Sequence, residues 1–146
     1  MDGLRAACRR AVAALSVGVA ALTAGCAGEE GEKLAPVSGE VTVNGQPVPS
    51  GNVTFCPDGS KGNASQHQPI GSIGAGGKFE LFVPGGKKGA PAGWYKVVVL
   101  ALDDPQPGKP NKYLVNKKYA SQASTPLSVE VVANPDAGRY DWKLTK

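Results

Sequence analysis

Cys56 and His67 are the residues here that could together attack a substrate, one as a thiolate and the other as its base. Such a pair needs a thiol of lowered pKa and a third group to orient the imidazole. The neighbouring sequence supplies neither, so Cys56 reads as a small residue packed in or beside a strand. His67, the sole histidine, reads as a solvated loop residue. Metal chemistry is no better provided for. Copper sites of the two-histidine, one-cysteine type, often with a methionine, need a second His, and the sole Met stands at position 1. Three or four zinc ligands at recognisable spacing are also absent from the sequence. Asp103-Asp104 could begin a calcium site, but Pro105-Gln106-Pro107-Gly108 adds no further carboxylate, and a turn is the simpler reading. The glycine-rich run at 71–79 departs from a phosphate-binding loop at Ser72, where Gly is required, and at Phe79, where Ser or Thr is required. No catalytic residue, cofactor or metal is therefore expected.

The elements that would position these residues read as short strands between glycine turns. Val37, Gly39, Val41 and Val43 alternate with Ser38, Glu40, Thr42 and Asn44, the period-two pattern of a half-buried strand. Asn44-Gly45 predicts a tight turn because both residues tolerate positive φ, after which Pro47 and Pro49 keep the chain extended but unpaired. Further strands are expected near 51–56, 69–73, 79–83, 94–102, 127–131 and 140–144. Residues 94–102 are apolar except for Lys96 and predict a central strand covered on both faces. Between 112 and 119 a helical turn or an irregular crossover is expected. On the strand at 51–56, Asn52, Thr54 and Cys56 share one face, and Val53 and Phe55 share the other.

Composition agrees with this reading. Twenty Gly and 12 Pro against nine aromatics describe a turn-rich chain, and 146 residues suit one domain of ordinary size. The expected class is all-β: a seven-stranded, within six to eight, antiparallel β-sandwich.

The amino terminus reads as an address rather than as structure. Arg5, Arg9 and Arg10 precede an apolar run at 11–22, too short to cross about 30 Å of hydrocarbon comfortably. The run ends Leu22-Thr23-Ala24-Gly25-Cys26, which resembles the lipobox of bacterial lipoproteins. That resemblance implies cleavage before Cys26, which then carries diacylglycerol. Residues 1–25 are expected to be a lipoprotein signal peptide, 26–35 a flexible tether, and 36–146 the β domain. Two or three acyl chains, at about 0.8 kcal/mol per buried methylene, would anchor it to a membrane durably. Cys8 would leave with the signal and Cys26 would bear lipid, so Cys56 would remain without a disulfide partner. From residue 26 onward 13 Lys and Arg face 11 Asp and Glu, which does not suggest nucleic-acid binding. The pairs Lys87-Lys88 and Lys117-Lys118 read as solvated features of Gly/Pro-rich loops.

A second resemblance follows the strands. Val37-Ser38-Gly39-Glu40-Val41-Thr42-Val43-Asn44-Gly45-Gln46-Pro47-Val48, followed by Gly51-Asn52-Val53-Thr54-Phe55, is similar to bacterial lipoproteins with a carboxypeptidase-regulatory-like, or transthyretin-like, domain. Gly76-Gly77-Lys78-Phe79-Glu80-Leu81, Ala92-Gly93-Trp94-Tyr95-Lys96-Val97-Val98-Val99 and the stretch from Lys118-Tyr119 to Leu127 continue the likeness. It implies a prealbumin-like sandwich, and it transfers no activity. The transthyretin-like hydrolases rely on a histidine pair, an arginine and a Tyr-Arg-Gly-Ser ending. Here His67 is the sole histidine, Arg139 is the sole arginine from residue 26 onward, and the chain ends Leu144-Thr145-Lys146.

The expected role is a non-enzymatic cell-envelope module, held to a membrane through Cys26, that contacts an envelope protein or glycan. The alternative is a small envelope hydrolase with an unfamiliar site. Tyr113 and Tyr119 are the expected contact residues, since a loop tyrosine combines apolar area with a polar tip. Trp94, Tyr95, Tyr140 and Trp142 are expected in the core. Ala27, rather than Asp, after the lipidated cysteine favours the outer over the inner membrane where that sorting signal operates. No feature of the pattern specifies an oligomeric state.

Overall fold

Alternation of apolar and polar residues sets the architecture of residues 31–146, the part of the chain that a computed structural model describes. The expected signal peptide and the expected lipidation site, Cys26, lie outside the described residues. The strands are β1 (Leu34–Ala35), β2 (Ser38–Val43), β3 (Gln46–Pro47), β4 (Gly51–Pro57), β5 (Ile70–Ile73) and β6 (Lys78–Glu80). They continue as β7 (Ala90–Pro91), β8 (Gly93–Leu100), β9 (Leu102–Asp103), β10 (Lys112–Tyr113), β11 (Ser128–Val131) and β12 (Trp142–Leu144). The helical elements among the described residues are three short 3-10 turns, so the all-β class holds.

One sheet runs β11-β8-β4-β5, antiparallel throughout, with Phe55 opposite Val97 and Val53 opposite Val99. In the other, β2 is central. β6 pairs with its first half and β3 with its second, while β12 lies alongside in parallel, Trp142 opposite Val41. This parallel pair departs from the wholly antiparallel expectation. The chain arrives at β12 from β11, in the other sheet, through residues 132–141, a crossover that permits parallel alignment.

Valine and aromatic side chains of both sheets meet in one core. Tyr95, Val97 and Val99 of β8 and Val53 and Phe55 of β4 belong to the same buried cluster as Val41 and Leu144. Phe55 is its aromatic hub, with ring centroids 5.7 Å from Tyr95 and 6.3 Å, edge-on, from Tyr140. Tyr95 and Tyr140 are buried as expected, whereas Trp94 and Trp142 are only half-buried.

Several local expectations need correcting. β8 is covered on one face only. Trp94, Lys96 and Val98 are half-buried and Leu100 is 38% exposed, because the hydrophobic run faces the core at every second residue and a mixed outer surface at the others. Pro47 is not unpaired: it lies opposite Thr42 at the edge of the second sheet, where its missing N–H costs least. The Asn44-Gly45 turn that leads to it has φ of 48° and 79°, as that dipeptide demands. The expected tether at 26–35 is too long. Leu34 and Ala35 form β1 against β7, and Ala35 is 7% exposed. A two-residue strand is too short to show a period in sequence.

Candidate functional site

Two of the concavities on the described surface bear on function. One, of about 880 Å³, opens over the outer sides of β2, β6, β5 and β4. Its position follows from register. Thr54 of β4 sits between Ile70 of β5 and Val98 of β8, and Asn52 sits between Ser72 and Leu100, so these side chains share the outward face of the first sheet. Ile70, 48% exposed, and the half-buried Phe82 give the groove its apolar floor, and Ile70 bridges to Phe82 across the strands. Carboxylates of Glu40, Glu80 and Asp141 rim it, with Lys78 as its lining cation. Asp141 is fixed by accepting the Glu40 backbone N–H at 3.0 Å, while Glu80 pairs with Lys88 at 3.2 Å. Nothing in this arrangement joins a nucleophile to a base. It offers apolar area edged by the carboxylates of Glu40 and Asp141, with Glu80 paired to Lys88.

The smaller concavity, of about 460 Å³, lies where the described chain begins. Asp58 caps the 3-10 turn at Gly59–Lys61, accepting from the Ser60 backbone N–H at 3.1 Å and the Ser60 hydroxyl at 2.5 Å. The hydrogen bond from the Ser60 hydroxyl holds the Asp58 carboxyl below the usual aspartate range. Asn63 then donates to the Trp94 carbonyl at 2.8 Å, which fixes the following loop against β8. On that loop Ser65 Oγ contacts Glu32 Oε2 at 3.3 Å and accepts the His67 backbone N–H at 3.2 Å. The His67 ring lies 3.9 Å from the same Glu32 oxygen. Acyl transfer needs the imidazole bonded to the hydroxyl. Here the hydroxyl is engaged by the carboxylate, so the cluster holds a loop in place and sets up no nucleophile. The Glu32–Ser65 contact is invisible to sequence reading, because it joins residues 33 positions apart and leaves no local pattern.

Cys56 is 6% exposed although it falls on the outward parity with Asn52 and Thr54. Burial pushes its thiol pKa up, which lowers the thiolate fraction and with it nucleophilicity. His67 is drawn to Glu32 instead. Among the described residues no group of three or more His, Cys, Asp or Glu side chains could hold a metal ion, and no helix is long and apolar enough to cross a membrane.

The structure separates the two expected contact tyrosines. Tyr113 is half-buried, with Lys117 Nζ 5.1 Å from its ring centroid. Tyr119 is 5% exposed and so is not a surface contact residue. The 3-10 turn Lys117–Ala120 points it inward, into the same core cluster as Val115. Its hydroxyl reaches Thr145 Oγ1 at 3.3 Å, and that hydrogen bond lowers its pKa.

Comparison of the chain with known protein families, with curated proteins and with solved structures returned no match.

Proposed function

We propose that this protein is a non-catalytic cell-envelope module, lipid-anchored through Cys26, that binds a protein segment in the groove over β2, β6, β5 and β4. The observation that carries the binding role is the groove itself: exposed Ile70 and half-buried Phe82 beneath the rim of Glu40, Glu80 and Asp141. Exposed apolar area in a concavity favours association, and the carboxylates favour a partner with a basic residue beside an apolar one. The anchor rests on the sequence from Arg5 to Cys26. We also infer that the two sheets form the prealbumin-like sandwich of carboxypeptidase-regulatory-like domains. The strand succession and the shared valine core support this, and an experimental structure with the sheets side by side would remove it.

The test is photocrosslinking in the native cells from Ser72, an exposed residue lining the groove, with Cys26→Ser as the unanchored control. One recurrent envelope protein, lost in Ile70→Asp, is the expected result. Absence of any recurrent partner would overturn the groove reading. Palmitate label that persists in Cys26→Ser would overturn the anchor. Hydrolytic turnover by the purified protein, abolished in His67→Ala, would replace the binding role with an enzymatic one.

A further inference from the structure

The positive charge of residues 31–146 is not spread evenly. Residues 103–118 and 143–146 carry six lysines against Asp103 and Asp104, while the rest of that span carries seven cationic and seven acidic residues. The whole excess therefore lies on two segments that are distant in sequence, and the fold brings them together. β10 places Lys112 and Tyr113 opposite Asp103 and Leu102, just beyond the end of β8. Lys117 lies over the Tyr113 ring, and Lys118 Nζ is 4.9 Å from the Tyr119 ring centroid. The Asn116 N–H donates to the Thr145 carbonyl at 3.0 Å, which seats the segment bearing Lys146 beside them. Lys109, Lys112, Lys117, Lys118, Lys143 and Lys146 are all exposed. Of these, Lys112 is neutralised by Asp103 at 2.7 Å.

We propose that this lysine surface, which includes Tyr113, binds an anionic polysaccharide. Separate ammonium groups on flexible stems suit a string of carboxylates or phosphates better than one small ligand. A half-buried tyrosine ring among them offers an apolar face to a sugar ring. Position favours a glycan over the bilayer as the polyanion. Glu32, at the start of the described chain, sits with Ser65 beside Gly93 and Trp94 at the opening of β8, whereas the lysines gather past its other end. Eight residues of strand separate the two by roughly 25 Å. This orientation argument rests on the lipid-anchor reading. The glycan contact itself does not, and it uses a surface distinct from the groove.

The experiment is binding of the full chain, purified as its host makes it, to polygalacturonate, with neutral dextran, single-stranded DNA and phosphatidylglycerol vesicles in parallel at one ionic strength. Expected is affinity for polygalacturonate that falls with salt and is absent for dextran. It should fall about tenfold in Lys117→Glu/Lys118→Glu and again in Lys143→Glu/Lys146→Glu, whose folding is verified by their melts. Lys33→Glu/Lys87→Glu makes the same charge change away from these lysines and should leave affinity unaltered. Tyr113→Ala, at constant charge, should weaken polygalacturonate binding severalfold. Equal losses in the control pair, indifference to Tyr113→Ala, tighter binding to DNA, or vesicle binding that the lysine substitutions weaken as strongly as polygalacturonate binding would overturn the proposal. These outcomes leave palmitate labelling at Cys26 untouched, so failure here is distinguishable from failure of the anchor.

Discussion

Two buried titratable groups set opposite ends of the stability range. Asp58 has its pKa lowered by the Ser60 hydroxyl, so it contributes stability that is complete above the unfolded aspartate value of about 3.9 and is lost as pH falls through the lower folded value. Melting temperatures of Asp58→Asn should accordingly lie below wild type near neutrality and converge with it in acid. Unchanged separation down to low pH would mean that the carboxylate is not the cause. Tyr95 is the alkaline counterpart. Burial raises its pKa, so its contribution is complete below the ordinary tyrosine value of about 10 and is lost as pH climbs through the higher folded one. Its hydroxyl also donates to the Pro91 carbonyl at 2.8 Å. Tyr95→Phe should cost about 1 kcal/mol at neutral pH and flatten the alkaline limb of a denaturation series. Residue chemistry is partly legible in sequence. The reading of Cys56 as a packing residue follows from its bland neighbours, but the depth of its burial does not, because its parity points outward. The burial of Tyr119 is equally hidden, because a 3-10 turn presents inward-facing positions without a readable period.

Strands that alternate over four or more residues are legible from the amino-acid order alone, which is why β2, β4, β8 and β11 fall where the valines predict. β1 and β7 are not, since two paired residues make no pattern, and what holds them is tertiary. Gly89 lies at φ 103° with its backbone against Ala35; a Cβ there would come 2.3 Å from the Ala35 carbonyl oxygen. The same crowding occurs inside β2. A side chain at Gly39 would come 2.3 Å from the Tyr140 carbonyl oxygen, so glycine is required there by approach alone, without unusual dihedrals. Gly39→Ala should destabilise by about 1–3 kcal/mol in chemical denaturation, through displacement of the 132–141 crossover. A variant as stable as wild type would show that the crossover yields freely. The free edge of β11 shows how loops finish a sheet: Arg139 Nε donates to the Glu130 carbonyl at 3.1 Å and the Tyr140 hydroxyl accepts the Val132 N–H at 3.3 Å. Such cover blunts a strand that could otherwise pair with another chain.

For the whole molecule, fold class is legible because turn residues and alternation repeat along the chain. The groove is not, because it arises where the outward faces of two sheets meet and no single strand encodes it. The lysine surface is hidden for the same reason: read in sequence, Lys117-Lys118 is one solvated pair, and only the return of residues 143–146 makes it part of a larger field. The parallel seating of β12 on β2 carries a further consequence, for timing. On one side, residues 41–43 find their neighbours at 142–144, about a hundred positions later. Whether the chain emerges from a ribosome or from an export channel, that side of β2 must stay open until β12 arrives, although β3 and β6 can pair with the strand earlier. A version ending at Asp141 should therefore lack a cooperative melt, and a cooperative melt would show that the second sheet closes without β12. The second sheet is completed only when nearly all of the domain has been delivered.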